Sequence, residues 1–410
     1  MLRVFALVGR APLRYHHRVL DLSGLNPPQR EAVLHEQGPL LVLAGAGSGK
    51  TRVIIHRIAR LIERGVSPDR ILGVTFTNKS ATEMRERLKR LAGRVATRVT
   101  LSTFHALGLN ILREEYAAVG LSAGFSIYDT GDQMGLVREL LRQTTVANRR
   151  LDAYKILEVI LSAKRKRLTE VAFDTGDDYE LAAYDLYPRY VEQMRAYNAI
   201  DFDDLLLRSM SALENVEVRN RWSRKYDHLL VDEYQDTSPD QLELLQTLAA
   251  RHGNVCVVGD DDQAIYAWRG AAVDNILSFG KSFPGTTEII LDQNYRSTSH
   301  ILTAANAVIQ NNAIRKSKVL WSALGDGDPV EVVACSDPEN EAEFVVENIG
   351  KLVYEGVKHH DIAILYRANI QSQILEETLA LEHIPFRVLG GQSFFDRKEV
   401  RDAVAFLQVA

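Results

Sequence analysis

The stretch Ala44-Gly45-Ala46-Gly47-Ser48-Gly49-Lys50-Thr51 follows the apolar run Leu40 to Leu43, and Val53, Ile54, Ile58, Leu61 and Ile62 then recur at helical spacing. A strand that turns through small residues into a helix leaves backbone N–H groups to wrap an anion at the positive end of the helix dipole. Gly45, Ala46, Gly47, Ser48 and Gly49 therefore read as the wall of a phosphate loop. Lys50 is expected to reach the terminal phosphates of a nucleotide, Thr51 to offer its hydroxyl to Mg²⁺, and Arg52 to join the nucleotide contacts. The strict pattern has glycine where this chain has Ala44, a mild departure because the crowded positions are the later glycines.

Such a unit belongs in a parallel sheet joined by helices. Ile71 to Phe76 reads as the next buried strand, followed by a helix with the stripe Ala81, Met84, Leu88 and Leu91. From about Leu107 to Ala199 helical periodicity dominates, and strands resume at His228 to Val231, Asn254 to Val258 and Glu288 to Leu291. Upstream, Asn26-Pro27-Pro28-Gln29 caps a helix expected to run through His35. Pro329 to Ala334 and Asp361 to Tyr366 suggest strands of a second α/β unit, and Glu399 to Ala410 an amphipathic helix. The fold class is α/β: a parallel-sheet domain with an inserted helical domain, followed by a second α/β unit. The 410 residues suit two or three domains at about 150 residues each.

A phosphate loop needs a metal carboxylate and, for hydrolysis, a group that aims water at the γ-phosphate. The apolar strand ending in Asp232-Glu233 supplies both, with Asp232 beside Mg²⁺ and Glu233 as the base. Another strand runs out into Gly259-Asp260-Asp261-Asp262-Gln263, where the Gln263 amide is placed to sense the γ-phosphate. Tyr266 and Trp268 follow, two apart in a stretch read as extended, with Arg269 adjacent; flat faces there suit the bases of single-stranded nucleic acid. Asp201, Asp203 and Asp204 read as acids offsetting a helix dipole rather than as a metal site. Lys164 to Arg167 reads as a solvated basic face.

The net charge of −5 does not announce a polyanion binder, but the signs are segregated. Residues 76–98 hold seven basic residues against Glu83 and Glu86, whereas 171–205 hold nine acidic residues against Arg189 and Arg195. Cys256 and Cys335 are too few for a disulfide framework or a cysteine metal site, which makes a reducing cytoplasmic setting the expectation. No run approaches the ~18 apolar residues of a membrane helix, so no membrane partner is expected. Residues 1–20 carry Arg3, Arg10, Arg14 and Arg18, and read as an unstructured basic extension.

Assembled in order, these segments resemble the UvrD/Rep/PcrA group of superfamily 1 DNA helicases over roughly residues 23 to 410. Leu25 to Gln29 is similar to the family's adenine-reading segment, which implies that Gln29 bonds the base edge. Thr75-Phe76-Thr77-Asn78-Lys79 and Ser102-Thr103-Phe104-His105 resemble its first DNA-contacting segments, implying DNA contacts for Phe76, Asn78, Thr103 and His105. Val231 to Thr237 and Gly259 to Ala271 resemble its second and third motifs, the latter implying DNA contacts for Tyr266, Trp268 and Arg269. Gln293-Asn294-Tyr295-Arg296-Ser297 resembles the fourth, in which the tyrosine packs on adenine and the arginine crosses to the γ-phosphate.

The resemblance implies a RecA-like ATPase domain at 21–109 and 202–275, an inserted helical domain at 110–201, and the first part of a second RecA-like domain at 276–390. It also implies ATP and Mg²⁺ as cofactors, single strands and single–double-strand junctions as partners, and translocation from 3′ to 5′ during replication or repair. Family members continue further, so Gly390 to Arg397 reads as the start of a second insertion cut short at 391–410, and the chain as C-terminally truncated. A rival expectation is a fragment that binds ATP and single-stranded DNA with little turnover and no unwinding.

Overall fold

A computed structural model describes residues 20–144, 151–168 and 177–389. The basic extension at 1–19, the Gly390 to Arg397 segment and the Glu399 to Ala410 helix lie outside the described residues. The strands are β1 Leu40–Ala44, β2 Ile71–Thr75, β3 Thr100–Thr103, β4 Ser126–Ile127, β5 Ala199–Ile200, β6 His228–Val231, β7 Val255–Gly259, β8 Thr287–Leu291, β9 Gln293–Asn294 and β10 Trp321–Ser322. Six of them form one parallel sheet in the order β3-β2-β6-β7-β1-β8.

Alternate side chains of these strands enter two different cores, as the two-residue period of a strand requires. Leu41, Leu43, Leu72, Val74, Leu229 and Val231 pack with Phe104, Leu107, Met210 and Leu245 on one face. Leu40, Val42, Ile71, Leu230 and Val258 pack with Val33, Ile54, Ile58, Met84 and Leu88 on the other. The first face is covered by α4 (Phe104–Glu115) and α8 (Phe202–Glu214), and the second by α1 (Pro27–Leu34), α2 (Lys50–Glu63) and α3 (Asn78–Ala92). Between α4 and α8, the helices α5 (Thr130–Arg142), α6 (Ala153–Arg165) and α7 (Asp178–Ala196) build a core of their own around Leu136, Ile156, Ile160, Leu186 and Tyr190.

The structure differs from the sequence reading in four places. β3 was not expected as a strand, because Thr-Leu-Ser-Thr is short and polar at three of its four positions; pairing with β2 makes it one. β8 pairs along β1, so Thr287–Leu291 belongs to the first sheet although it falls within the span 276–390 read as the second domain. Contacts divide the chain at Pro329, giving one unit up to that residue and another from Val330. Within the second unit, Pro329 to Ala334 and Asp361 to Tyr366 do not pair as strands with any described residue. Ile362 and Ile364 nevertheless pack toward Val346, Ile349 and Leu379 of the helices Pro338–Tyr354 and Ser372–Leu381. Alternation therefore reported which side chains face inward, whereas a ladder needs a neighbouring strand that no local pattern encodes.

Of Lys164 to Arg167, Arg165, Lys166 and Arg167 are exposed, as a solvated face requires, but Lys164 is not. Lys164 at the end of α6 is nearly buried, 2.6 Å from Asp201 and 2.7 Å from Asp204, the two acids that form the capping box of α8. Arg165 meets Asp203 at 3.1 Å, and Arg167 meets Asp240 and Glu243 at 2.6 and 2.7 Å. Burial opposes the Lys164 charge, but Asp204 and Asp201 outweigh it and hold its pKa above the ordinary value. This cluster ties the helical insertion to the sheet domain. Lys164→Met, which leaves buried Asp201 without its cation and Asp204 with Arg208 alone at 3.2 Å, is expected to cost about 3 to 5 kcal/mol. Urea unfolding followed by circular dichroism checks this, and an unchanged midpoint would show that water already screens the pair.

Candidate functional site: a phosphate loop beside an aromatic stack

Every strand of the sheet points the same way, so the loops after β1, β2, β3, β6, β7 and β8 gather at one edge, where open α/β sheets place ligands. The loop after β1 turns through Gly47 and Gly49 at φ of +66° and +91°, a region that side chains disfavour. Gly49 precedes α2 without any side-chain cap, so the first N–H groups of α2 remain open to an anion.

Asp232 and Glu233 face this loop across the sheet. Thr51 Oγ1 donates to Asp232 Oδ2 at 3.2 Å, and Lys50 Nζ lies 3.5 Å from Glu233 Oε2. Burial, reinforced by Glu233 next door, pushes the Asp232 carboxyl up to about 6. Asp236 is raised to about 6 by the same two causes, and its buried Oδ1 has no hydrogen-bond partner. Hard oxygen donors with more negative charge than Lys50 offsets are the surroundings that Mg²⁺ favours, so Thr51 and Asp232 fit the ion. Glu233 itself sits at φ +52°, a left-handed conformation uncommon outside glycine. Gln235 Nε2 donates to Glu233 Oε2 at 2.9 Å and fixes the side chain there.

The segment after β8 closes over the loop. Asn294 Nδ2 donates to Ala46 O at 2.7 Å, and Tyr295 N donates to Gly47 O at 3.0 Å. Asn294 Oδ1 accepts from the N–H groups of Arg296 and Ser297, which sets exposed Arg296 on the rim of the loop. Gln293 Oε1 accepts from Tyr295 OH at 2.8 Å and from Asn26 Nδ2 at 3.2 Å, so half-exposed Tyr295 stands beside the cap of α1. Gln29, expected to read a base edge, lies buried beside the phosphate loop. Its Nε2 donates to Ser48 O at 2.8 Å and its Oε1 accepts from Asn26 N, so the buried amide braces the loop. Ser48 Oγ in turn donates to Gly45 O. Arg52 is exposed and its guanidinium lies against Gly24.

The aromatic residues are not core. Phe76, just past β2, stacks on Tyr266 at 5.2 Å between ring centroids and 20° between planes. Trp268 lies 6.3 Å from Tyr266 and is 74% exposed. It sits on a short 3-10 turn rather than the extended stretch expected. Gln263 donates to Asp260 instead of standing free toward a phosphate. Asn78 and Thr103 both line a cleft of about 450 Å³ together with Arg85, Ala106 and Asn110. The Thr103 hydroxyl accepts from Ala106 N as the cap of α4, and His105 meets Phe202 edge-on at 6.4 Å. Of Arg269 only the backbone is described. Sequence reasoning assigned no role to Gln235, Asn294 or Lys318; the first two stand in recognised segments, whereas nothing local distinguishes the last.

A parallel sheet whose first strand feeds an open helix N-terminus through glycines, faced by buried Asp232 and partly exposed Glu233, defines a phosphate-loop nucleotide-binding fold. The UvrD/REP helicase N-terminal domain matches residues 25–284, and the UvrD-like helicase C-terminal domain matches residues 289–410. The chain belongs to the UvrD/REP helicase family. It is 42% identical over 392 residues to the ATP-dependent DNA helicase PcrA of Staphylococcus aureus, covering 95% of this chain and 54% of that one. It is 44% identical over 393 residues to PcrA of Bacillus subtilis, covering 95% and 53%. The chain thus spans about half the length of the curated relatives it matches.

Asn294→Ala removes three hydrogen bonds, two of them to N–H groups of its own segment and one to the loop carbonyl. A loss of about 1 to 3 kcal/mol in stability is expected, together with weaker binding of a fluorescent ATP analogue. Unchanged analogue binding would show that the loop holds its shape alone.

Proposed function

We propose that this chain is the motor part of an ATP-dependent DNA helicase, in which single-stranded DNA stimulates ATP hydrolysis. One observation carries the reading. The phosphate loop with its Asp-Glu pair, and the half-buried stack of Phe76 and Tyr266 with exposed Trp268 beside it, leave the same edge of one parallel sheet. Nothing in a core requires an aromatic stack capped by a tryptophan 74% exposed, whereas bases of any sequence stack on such a platform.

In this reading the backbone of Gly45 to Gly49 binds the phosphates, and Lys50 neutralises their outer oxygens. Thr51 and Asp232 hold Mg²⁺, which when bound screens charge between the phosphates. Glu233, held by Gln235 in its left-handed turn, accepts a proton from water and orients it for attack on the γ-phosphate. Arg296 on the rim stabilises charge on the transferred group, and Tyr295 lies against the base. Gln263 reports the state of the nucleotide to the aromatic platform. Asn78, Thr103, His105 and Arg269 extend the strand contacts along the same edge. The proposal includes movement from 3′ to 5′, action at single–double-strand junctions in replication or repair, and a cytoplasmic setting. No helix among the described residues is long and apolar enough to cross a membrane.

Turnover measured with and without single-stranded DNA tests this reading. Stimulation by orders of magnitude supports a motor, and a flat, near-zero rate supports a module that only binds ATP and DNA. Glu233→Gln is expected to abolish turnover while leaving nucleotide affinity nearly intact; equal losses in both would sink its role as base. Trp268→Ala is expected to weaken single-strand binding by about 1 to 3 kcal/mol without lowering the melting temperature. Fluorescence anisotropy at two salt concentrations measures this, and an unaltered Kd would remove Trp268 from the platform.

A further inference from the structure

The turn after β7 carries Asp260, Asp261 and Asp262, whose carboxylate oxygens lie within 4.8 Å of one another. A trio of this kind invites a cation, and the chain supplies one from 56 residues past Asp262. Lys318 Nζ lies 2.9 Å from Asp260, 2.5 Å from Asp261 and 2.7 Å from Asp262, with its side chain 2% exposed. Arg315 adds two parallel bonds of 2.8 Å to Asp262 and a third to the Lys318 carbonyl. Lys316 N donates to Asp261 at 2.7 Å. Burial acts against the ammonium, but the carboxylates, Asp260 foremost, keep its pKa above the ordinary value.

Three paths leave this cluster. Asp260 N donates to Gln235 Oε1 at 3.0 Å, and the same amide bonds Glu233. Asp260 also accepts from Gln263, on the turn that runs on to Tyr266 and Trp268. Beyond Lys318, Leu320 lies so close over Gly45 that a Cβ there would overlap its methyl groups. Trp321 and Ser322 then pair with Gln293 and Asn294, the strand that closes the phosphate loop.

We infer that Lys318 is a positioning residue that couples the two sites: its ammonium holds the turn at 260–263 in register with the phosphate loop, so that nucleotide and single strand bias each other's binding. The inference rests on the proposed function. Lys318 touches neither ligand's contacts directly, and its loss leaves three carboxylates with only Arg315 against them. The turn then opens, while the phosphate loop and the aromatic stack each keep their own supports.

The experiment measures the Kd of a fluorescein-labelled oligo(dT) for the 410-residue chain, with and without Mg²⁺ and a non-hydrolysable ATP analogue. In the unsubstituted chain the analogue is expected to shift that Kd by about fivefold or more, the usual scale of such coupling. Lys318→Met is expected to leave each separate affinity nearly unchanged and abolish the shift, and Lys318→Arg to restore most of it. If Lys318→Met does not fold, the pair Lys318→Gln with Asp261→Asn removes one charge of each sign and carries the same test. Coupling that persists in a folded variant, affinities that are independent in the unsubstituted chain, or no rescue by arginine overturns the inference and leaves the proposed function standing. Failure of the unsubstituted chain to bind either ligand overturns both.

Discussion

The hydrogen bond from Thr51 to Asp232 joins side chains 181 residues apart, and it exists because β1 and β6 are parallel with β7 between them. A strand buried on both faces cannot tilt without breaking ladders on either side, so the ends of β1 and β6 are fixed relative to each other. The sheet thereby turns distance along the chain into adjacency at one edge. The phosphate loop follows β1, Phe76 follows β2, Asp232 follows β6, Asp260 follows β7 and Gln293 follows β8. Had any of these strands run antiparallel, its loop would lie at the opposite edge, some 15 Å away for a five-residue strand.

Charge refines what the sheet assembles. Lys50, Lys164 and Lys318 are each largely withdrawn from water, and each meets carboxylates from a remote part of the chain. Buried pairs of this kind contribute little net stability, because desolvation offsets most of the attraction, but they penalise every arrangement that leaves one partner alone. Their effect is to specify geometry. Lys164 fixes the helical insertion on α8, and Lys318 fixes the turn after β7. Lys50 meets Glu233 at a looser 3.5 Å.

Much of this was legible in the chain. The runs of β1, β2, β6, β7 and β8 stand within a residue or so of their expected limits; the first four are central strands whose apolar signature is nearly unbroken, whereas β8 is an edge strand with Glu288 and Ile290 exposed. The phosphate loop is a local chemical pattern, and Lys50 and Thr51 stand where it puts them. What was hidden depends on partners remote in sequence. β3 acquires its character from β2, and the stretch at 361–366 shows inward alternation without a paired neighbour. Lys164 looks as solvated as Arg165 to Arg167 until Asp201 and Asp204 are brought to it. In the same way nothing local shows that the Gln29 amide bonds the loop carbonyl of Ser48 and its own helix cap.

The position of β7 explains why the turn after it is the natural place for the two sites to communicate. It lies between β1, which leads to the phosphate loop, and β6, which leads to Asp232 and Glu233, so its terminal loop is flanked by both. Gly259 ends the strand where a Cβ would come within 2.8 Å of the Gln235 amide oxygen and of Ile276, so only glycine allows that amide to bridge Glu233 and Asp260. The chain then proceeds through Gln263 to Tyr266 and Trp268 in a few residues. A change at Glu233 can therefore reach the aromatic stack through two amides and one carboxylate. Among the described residues, no other loop of this edge has Asp232 and Glu233 on one flank, the glycine loop after β1 on the other and Tyr266 and Trp268 on its own continuation.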